Sequence, residues 1–145
     1  GALEGSYARL DAALRDEAWR PDVLVGSSWG GSLAVHAVAR RAFAGPTLLL
    51  CPAVHGRLAP DGSAFDFGEL CNRLAALPQR QRQQILIVHG ENDETVPLAA
   101  VQELARRTEI ELRVLPGADH RLGCLLEPGA EVSLEALVRE VAVRQ

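Results

Sequence analysis

The sequence predicts an α/β fold: three layers, with a mostly parallel sheet of about four strands between helices. Three observations predict it. Short strand-like runs recur at Val23–Val25, Thr47–Cys51, Ile85–Val88 and Glu111–Leu115, with helix-like segments between them. The first three are continuously apolar rather than alternating, as strands buried on both faces are. Strands that alternate with helices imply right-handed crossovers and a parallel sheet. The chain has 145 residues, 48% of them hydrophobic, which suits one domain with a real core. No repeat, low-complexity tract or linker divides it, so residues 1–145 are read as one domain.

Taken in order, Leu3, Tyr7, Leu10 and Leu14 recur at three- and four-residue steps and predict an amphipathic helix from Leu3 to Trp19. Pro21 ends it. Val23–Val25 is the first strand, ending at Gly26, and Ser32–Phe43 has helical composition. Gly45-Pro46 turns the chain into the second strand. Pro52–Gly68, rich in Gly, Pro, Asp and Ser, reads as a loop, Glu69–Leu77 as a short helix and Gln79–Gln84 as a solvated connection. After the third strand, Pro97 suits the first turn of a helix running to Arg107, with Leu98, Val101, Leu104 and Ala105 inward. Leu134, Leu137, Val138 and Val141 define a last amphipathic helix.

Composition excludes several functions. A net charge of −4 and a pI near 5.6 argue against nucleic acid as partner. No apolar run reaches the roughly 18 residues of a membrane span, and no signal peptide is expected at the start of the sequence. Cys51, Cys71 and Cys124 are odd in number and lack metal-ligand spacing. They read as free thiols of a cytoplasmic protein, with no metal and no cofactor expected. The sequence has no methionine, so Gly1 is expected to follow a removed initiator or a longer chain.

The chemistry is concentrated in Gly26-Ser27-Ser28-Trp29-Gly30-Gly31, a Gly-x-Ser-x-Gly on a predicted strand–turn–helix. Such a turn strains the serine and lifts its hydroxyl above the sheet, while flanking glycines allow close approach of the backbone. The helix that follows aims unpaired N–H groups at the place where an oxyanion would form. There is no Gly-x-Gly-x-x-Gly and no Gly-Lys-Ser/Thr, so nucleotide binding is disfavoured.

Ser28, Asp93 and His120 each follow a predicted strand at its C-terminal end, where sites of parallel sheets form. A serine hydroxyl needs a base to take its proton, and a carboxylate behind an imidazole fixes the tautomer of that base. Asp93 can reach His120 if the third and fourth strands are neighbours. Glu91 and Asp119 are the rival acids, Glu91 the more serious because Asp119 adjoins His120 in sequence. His36 reads as a packed or surface residue, His55 as a substrate contact or a solvated loop residue, and His89 as structural.

These residues together resemble the α/β-hydrolase superfamily. The matching pieces are Gly26 to Gly31, the segment His89-Gly90-Glu91-Asn92-Asp93-Glu94-Thr95-Val96-Pro97, and Gly117-Ala118-Asp119-His120. The second is the most specific, because that family commonly shows His-Gly-x-x-Asp-x-x-Val-Pro around its acid. The resemblance covers nearly the whole chain but only the C-terminal half of the usual fold, and it is closest to small lidless bacterial esterases and thioesterases. It implies Ser28 as nucleophile, Asp93 as acid, His120 as base and the Trp29 N–H as one oxyanion donor. The second donor would come from an earlier loop that the matching pieces do not include. Serine stands at position 27 where members often have histidine.

The expected function is hydrolysis of a small ester or thioester through an acyl-Ser28 intermediate, with Trp29 and Phe65 lining the site. The alternative is a catalytically silent module of the same fold that binds a partner or small ligand. The Val23–Val25 strand is expected to leave an unpaired edge, covered by a second copy in a homodimer or by a preceding segment.

Overall fold

A computed structural model describes residues 5–145. Four strands, β1 (Leu24–Ser27), β2 (Thr47–Leu50), β3 (Ile85–Gly90) and β4 (Glu111–Leu115), form one sheet in the order β1-β2-β3-β4. Every pairing is parallel, with Leu24 opposite Thr47, Thr47 opposite Ile85 and Leu86 opposite Glu111. The three-layer α/β architecture is therefore as the sequence predicts.

The helices are α1 (Ser6–Arg15), α2 (Trp29–Ala39), α3 (Phe67–Ala75), the single turn α4 (Gln79–Arg82), α5 (Leu98–Thr108) and α6 (Leu134–Ala142). Because spatial strand order follows chain order, right-handed crossovers put α2, α3 and α5 on one face of the sheet. There Ala34, Val38, Leu70, Leu74, Val101 and Leu104 pack with Leu49, Ile85 and Ile87. The opposite face is built from Leu48, Leu50, Leu86 and Val88, covered by Leu137 and Val141 of α6 and by Leu122 and Leu125. That cover stops short of β1, where Val25 is 43% exposed and pairs on one side only. The outer edge of β4 carries a charge network instead, in which Arg113 and Arg144 both bind Glu111 and Glu140.

Several elements differ from expectation for local reasons. Leu3 lies outside the described residues, and α1 stops at Arg15, four residues before Trp19. Asp16 breaks it, with its carboxylate accepting from Ala18 N–H and its carbonyl from Trp19 N–H. β1 extends through Gly26 and Ser27 because both continue the ladder against Leu49 and Leu50. α2 begins at Trp29 rather than Ser32 and ends at Ala39, where Arg41 turns left-handed at φ 63°. α3 starts two residues early, capped by Asp66, whose side chain accepts from Glu69 N–H, a contribution of about 1 kcal/mol. The loop after β2 holds a small hairpin closed by a Leu58–Ala64 bridge. No helix among the described residues is long and apolar enough to cross a membrane.

Candidate active site

Ser28 sits between the last residue of β1 and the first of α2, at φ 55° and ψ −117°. A non-glycine residue there carries about 1–3 kcal/mol of strain. Its backbone is pinned on both sides: its N–H donates to Leu50 O at 2.9 Å, and its carbonyl accepts from Ser32 N–H and Ala53 N–H. A Cβ at Gly26 would lie 2.5 Å from the Gly30 carbonyl oxygen, and one at Gly31 would lie 2.9 Å from Pro52 Cα. Nothing lies within 4 Å of a Cβ at Gly30. The close approaches are therefore made at Gly26 and Gly31, and the last glycine of the Gly-x-Ser-x-Gly pattern is not sterically required.

Asp93 follows β3, and His120 lies in the loop after β4. Those strands are neighbours, and their loops cross at Gly90. A Cβ there would lie 2.5 Å from the carbonyl oxygens of both Ala118 and Asp119, and Asn92 N–H donates to Ala118 O. Asp93 Oδ1 accepts from Thr95 N–H at 2.8 Å and Val96 N–H at 2.7 Å, which leaves Oδ2 to face His120 Nδ1 at 2.7 Å. A carboxylate only accepts, so Nδ1 carries the proton and Nε2 presents its lone pair. Ser28 Oγ lies 2.8 Å from that Nε2.

Burial alone would raise the Asp93 pKa. The Val96 N–H, His120 and the Thr95 N–H outweigh it and hold the carboxyl below its usual range. Its side chain is fully buried, while that of His120 is 15% exposed, so this chain of contacts runs from the interior toward solvent. An imidazole with an ionised carboxylate behind it and a hydroxyl before it can take up the hydroxyl proton and hold the resulting charge.

The other predicted residues fall elsewhere. Glu91 is exposed and its carboxylate accepts from Gly117 N–H at 3.2 Å; Asp119 is exposed and accepts from Arg121 N–H. His89 is fully buried, with Nε2–H donating to Val96 O at 2.9 Å, and it supports the turn that carries Asp93. His55 is exposed. Trp29 adjoins Ser28 and is 47% exposed. Phe65 is not brought to Ser28. Its ring packs edge-on against His36 and stacks with Phe67. His36 lies eight residues beyond Ser28, about 12 Å along α2.

One residue at this corner escaped the sequence reading. Cys51 follows β2 and is fully buried, and its Sγ lies within 4.8 Å of ligand atoms of both Asp93 and His120. Its place at the same C-terminal sheet edge was the available signal. All three cysteines are free thiols.

No family model matches the sequence, and no curated protein matches it. Solved structures do. A protein from Xanthomonas campestris described as a hydrolase of the alpha/beta superfamily is 27% identical, with TM-score 0.64 over 98% of this chain and 66% of its own. An alpha-beta serine hydrolase homologue from Coxiella burnetii is 23% identical, with TM-score 0.59 over 98% of this chain and 57% of its own. Thermogutta terrifontis esterase 2, phosphorylated by paraoxon, is 19% identical, with TM-score 0.62 over 97% of this chain and 59% of its own. The chain thus spans about three fifths of the length of these proteins. With its parallel sheet, its strand–Ser28–helix turn and these neighbours, the chain has the α/β-hydrolase fold.

Proposed function

We propose that Ser28, His120 and Asp93 are the catalytic triad of a serine hydrolase acting on a small carboxylic ester or thioester. The observation that carries the reading is the unbroken chain from Ser28 Oγ through His120 to Asp93, with contacts of 2.8 and 2.7 Å. Ser28 Oγ attacks the acyl carbon while His120 Nε2 takes its proton. The carbonyl oxygen becomes an oxyanion at the start of α2, where the Trp29 N–H donates to it. The tetrahedral intermediate collapses, His120 gives its proton to the leaving alcohol or thiol, and acyl-Ser28 remains. Water then attacks the acyl carbon with His120 again as base, releasing the acid and restoring Ser28. Trp29, exposed beside the nucleophile, is the side chain we assign to acyl contact.

The exposed edge of β1 supports a second part of the reading, in which a strand from a second copy or from a preceding segment pairs there. A two-fold mass in light scattering identifies the former.

A fluorophosphonate probe tests the enzymatic reading. It is expected to label the chain once, at Ser28, with a measurable rate on short-chain esters that Ser28→Ala abolishes. A folded chain that neither labels nor turns over esters of graded acyl length is the silent binding module.

A further inference from the structure

The corner behind Ser28 holds one more donor than a proton relay uses. Cys51 Sγ, a carboxylate oxygen of Asp93 and a ring nitrogen of His120 all lie within 4.8 Å of one another. Cys51 is held rigidly: its backbone is left-handed at φ 44°, and its N–H donates to Val88 O at 2.9 Å. The Asp93 side chain is fully buried, so the way in from solvent is past the partly exposed His120 ring. Thiolate, imidazole and carboxylate are the ligands of tetrahedral zinc, which holds them at about 2.0–2.3 Å and hence roughly 3.3–3.8 Å from one another. Reaching that spacing requires the 2.7 Å Asp93–His120 contact to open and the Cys51 thiol to close in from within 4.8 Å.

We propose that Cys51, Asp93 and His120 form a binding site for a thiophilic divalent cation, Zn2+ or Cd2+, whose occupancy shuts off the relay. On binding, the Cys51 thiol proton leaves to solvent and the thiolate bonds to the metal. If the metal takes His120 Nδ1, the ring proton moves to Nε2, which can no longer accept from Ser28. If it takes Nε2, it consumes the lone pair itself. Either way the imidazole ceases to be a base. A thiolate among the three ligands selects metals with high affinity for sulfur and excludes the hard, oxygen-seeking Mg2+ and Ca2+. Loss of activity rests on the triad reading; metal binding does not.

The test is a Cd2+ titration of the intact chain, read by the ultraviolet thiolate-to-cadmium charge-transfer band. The band is expected in the parent and in Cys71→Ser and Cys124→Ser, and is expected to vanish in both Cys51→Ser and Cys51→Ala. In parallel, Zn2+ should suppress ester hydrolysis, EDTA should restore it, and Mg2+ should have no effect. Cys51→Ser should raise the half-inhibiting Zn2+ concentration about 10–100-fold, each variant being compared with its own metal-free rate. A band that survives loss of Cys51, or equal Zn2+ sensitivity in parent and variant, overturns the proposal. If the chain hydrolyses nothing, the cadmium band still decides the metal site, and the triad reading alone has failed.

Discussion

Two histidines, one on helix α2 and one reaching its first turn from the loop after β4, have opposite surroundings. His120 meets Ser28 at the start of α2, while His36 sits two turns further along it. The His36 ring stacks on Tyr7 at 5.7 Å and meets Phe65 edge-on, beside a cavity of about 310 Å³. Charged groups surround it, but each is engaged elsewhere. Arg40 binds Asp11 at 2.7 Å, Asp61 accepts from the backbone and hydroxyl of Ser63, and Asp66 caps α3. His36 Nδ1–H donates to the Ser32 carbonyl of its own helix, at 2.7 Å. A backbone carbonyl fixes a ring in place but carries no full charge to stabilise an imidazolium. His120 has that charge behind it and a hydroxyl in front. The difference teaches that a base is made by what faces the two ring nitrogens, not by burial or by nearby charge.

The comparison can be broken at either end. The largest effect is expected at Ser28, the proposed nucleophile: Ser28→Ala should cost about 10⁶ in turnover, on the precedent of a serine hydrolase. Asp93→Asn should follow, with a loss of about 10⁴ in kcat and the fold retained, since it removes the charge behind His120. Steady-state kinetics with circular dichroism checks both. If Glu91→Gln abolishes ester turnover and Asp93→Asn does not, the proposed carboxylate is the wrong one.

The next effect falls on the helix that carries Ser28 and His36. Gly26→Ala forces a methyl against the Gly30 carbonyl and should destabilise the chain by about 1–3 kcal/mol, whereas Gly30→Ala, in open space, should not. Thermal melts of the two variants side by side measure it, and an equal loss would remove the steric account of the turn.

The smallest effect is at His36. Burial pushes its pKa below the ordinary value; Arg40 and Arg73 add to this, while the Ser32 carbonyl and Asp61 oppose it. The unfolded chain therefore binds the proton more readily than the folded one. The stability contribution of neutral His36 is present above about pH 6.5 and is lost as pH falls through that value toward the folded pKa. His36→Gln should narrow the gap in Tm between about pH 7.5 and pH 5 while leaving ester turnover close to that of the parent. A turnover loss as large as that of Asp93→Asn would end the distinction between the two histidines.

Much of this was legible in the chain itself. Continuous apolar runs mark Leu48–Leu50 and Ile85–Val88 as doubly buried strands, because a strand between two helical layers has no polar face to offer. The Leu134–Val141 stripe marks α6, and the spacing around Ser28 and Asp93 marks two loops at one edge of the sheet. All of this is local, written in period and turn chemistry within about ten residues. Other features depend on which distant segments touch. The β3–β4 pairing brings Asp93 behind His120, and the crossing at Gly90 holds the two loops together. Pro52, from the loop after β2, makes Gly31 rather than Gly30 the indispensable glycine. Phe65 joins His36 because its hairpin folds down the helix face, and Cys51 joins Asp93 because three strands end at one corner. Periodicity in a sequence reports which face of an element is buried. It carries no record of the partner that buries it, and that choice is made only when the whole sheet closes over its core.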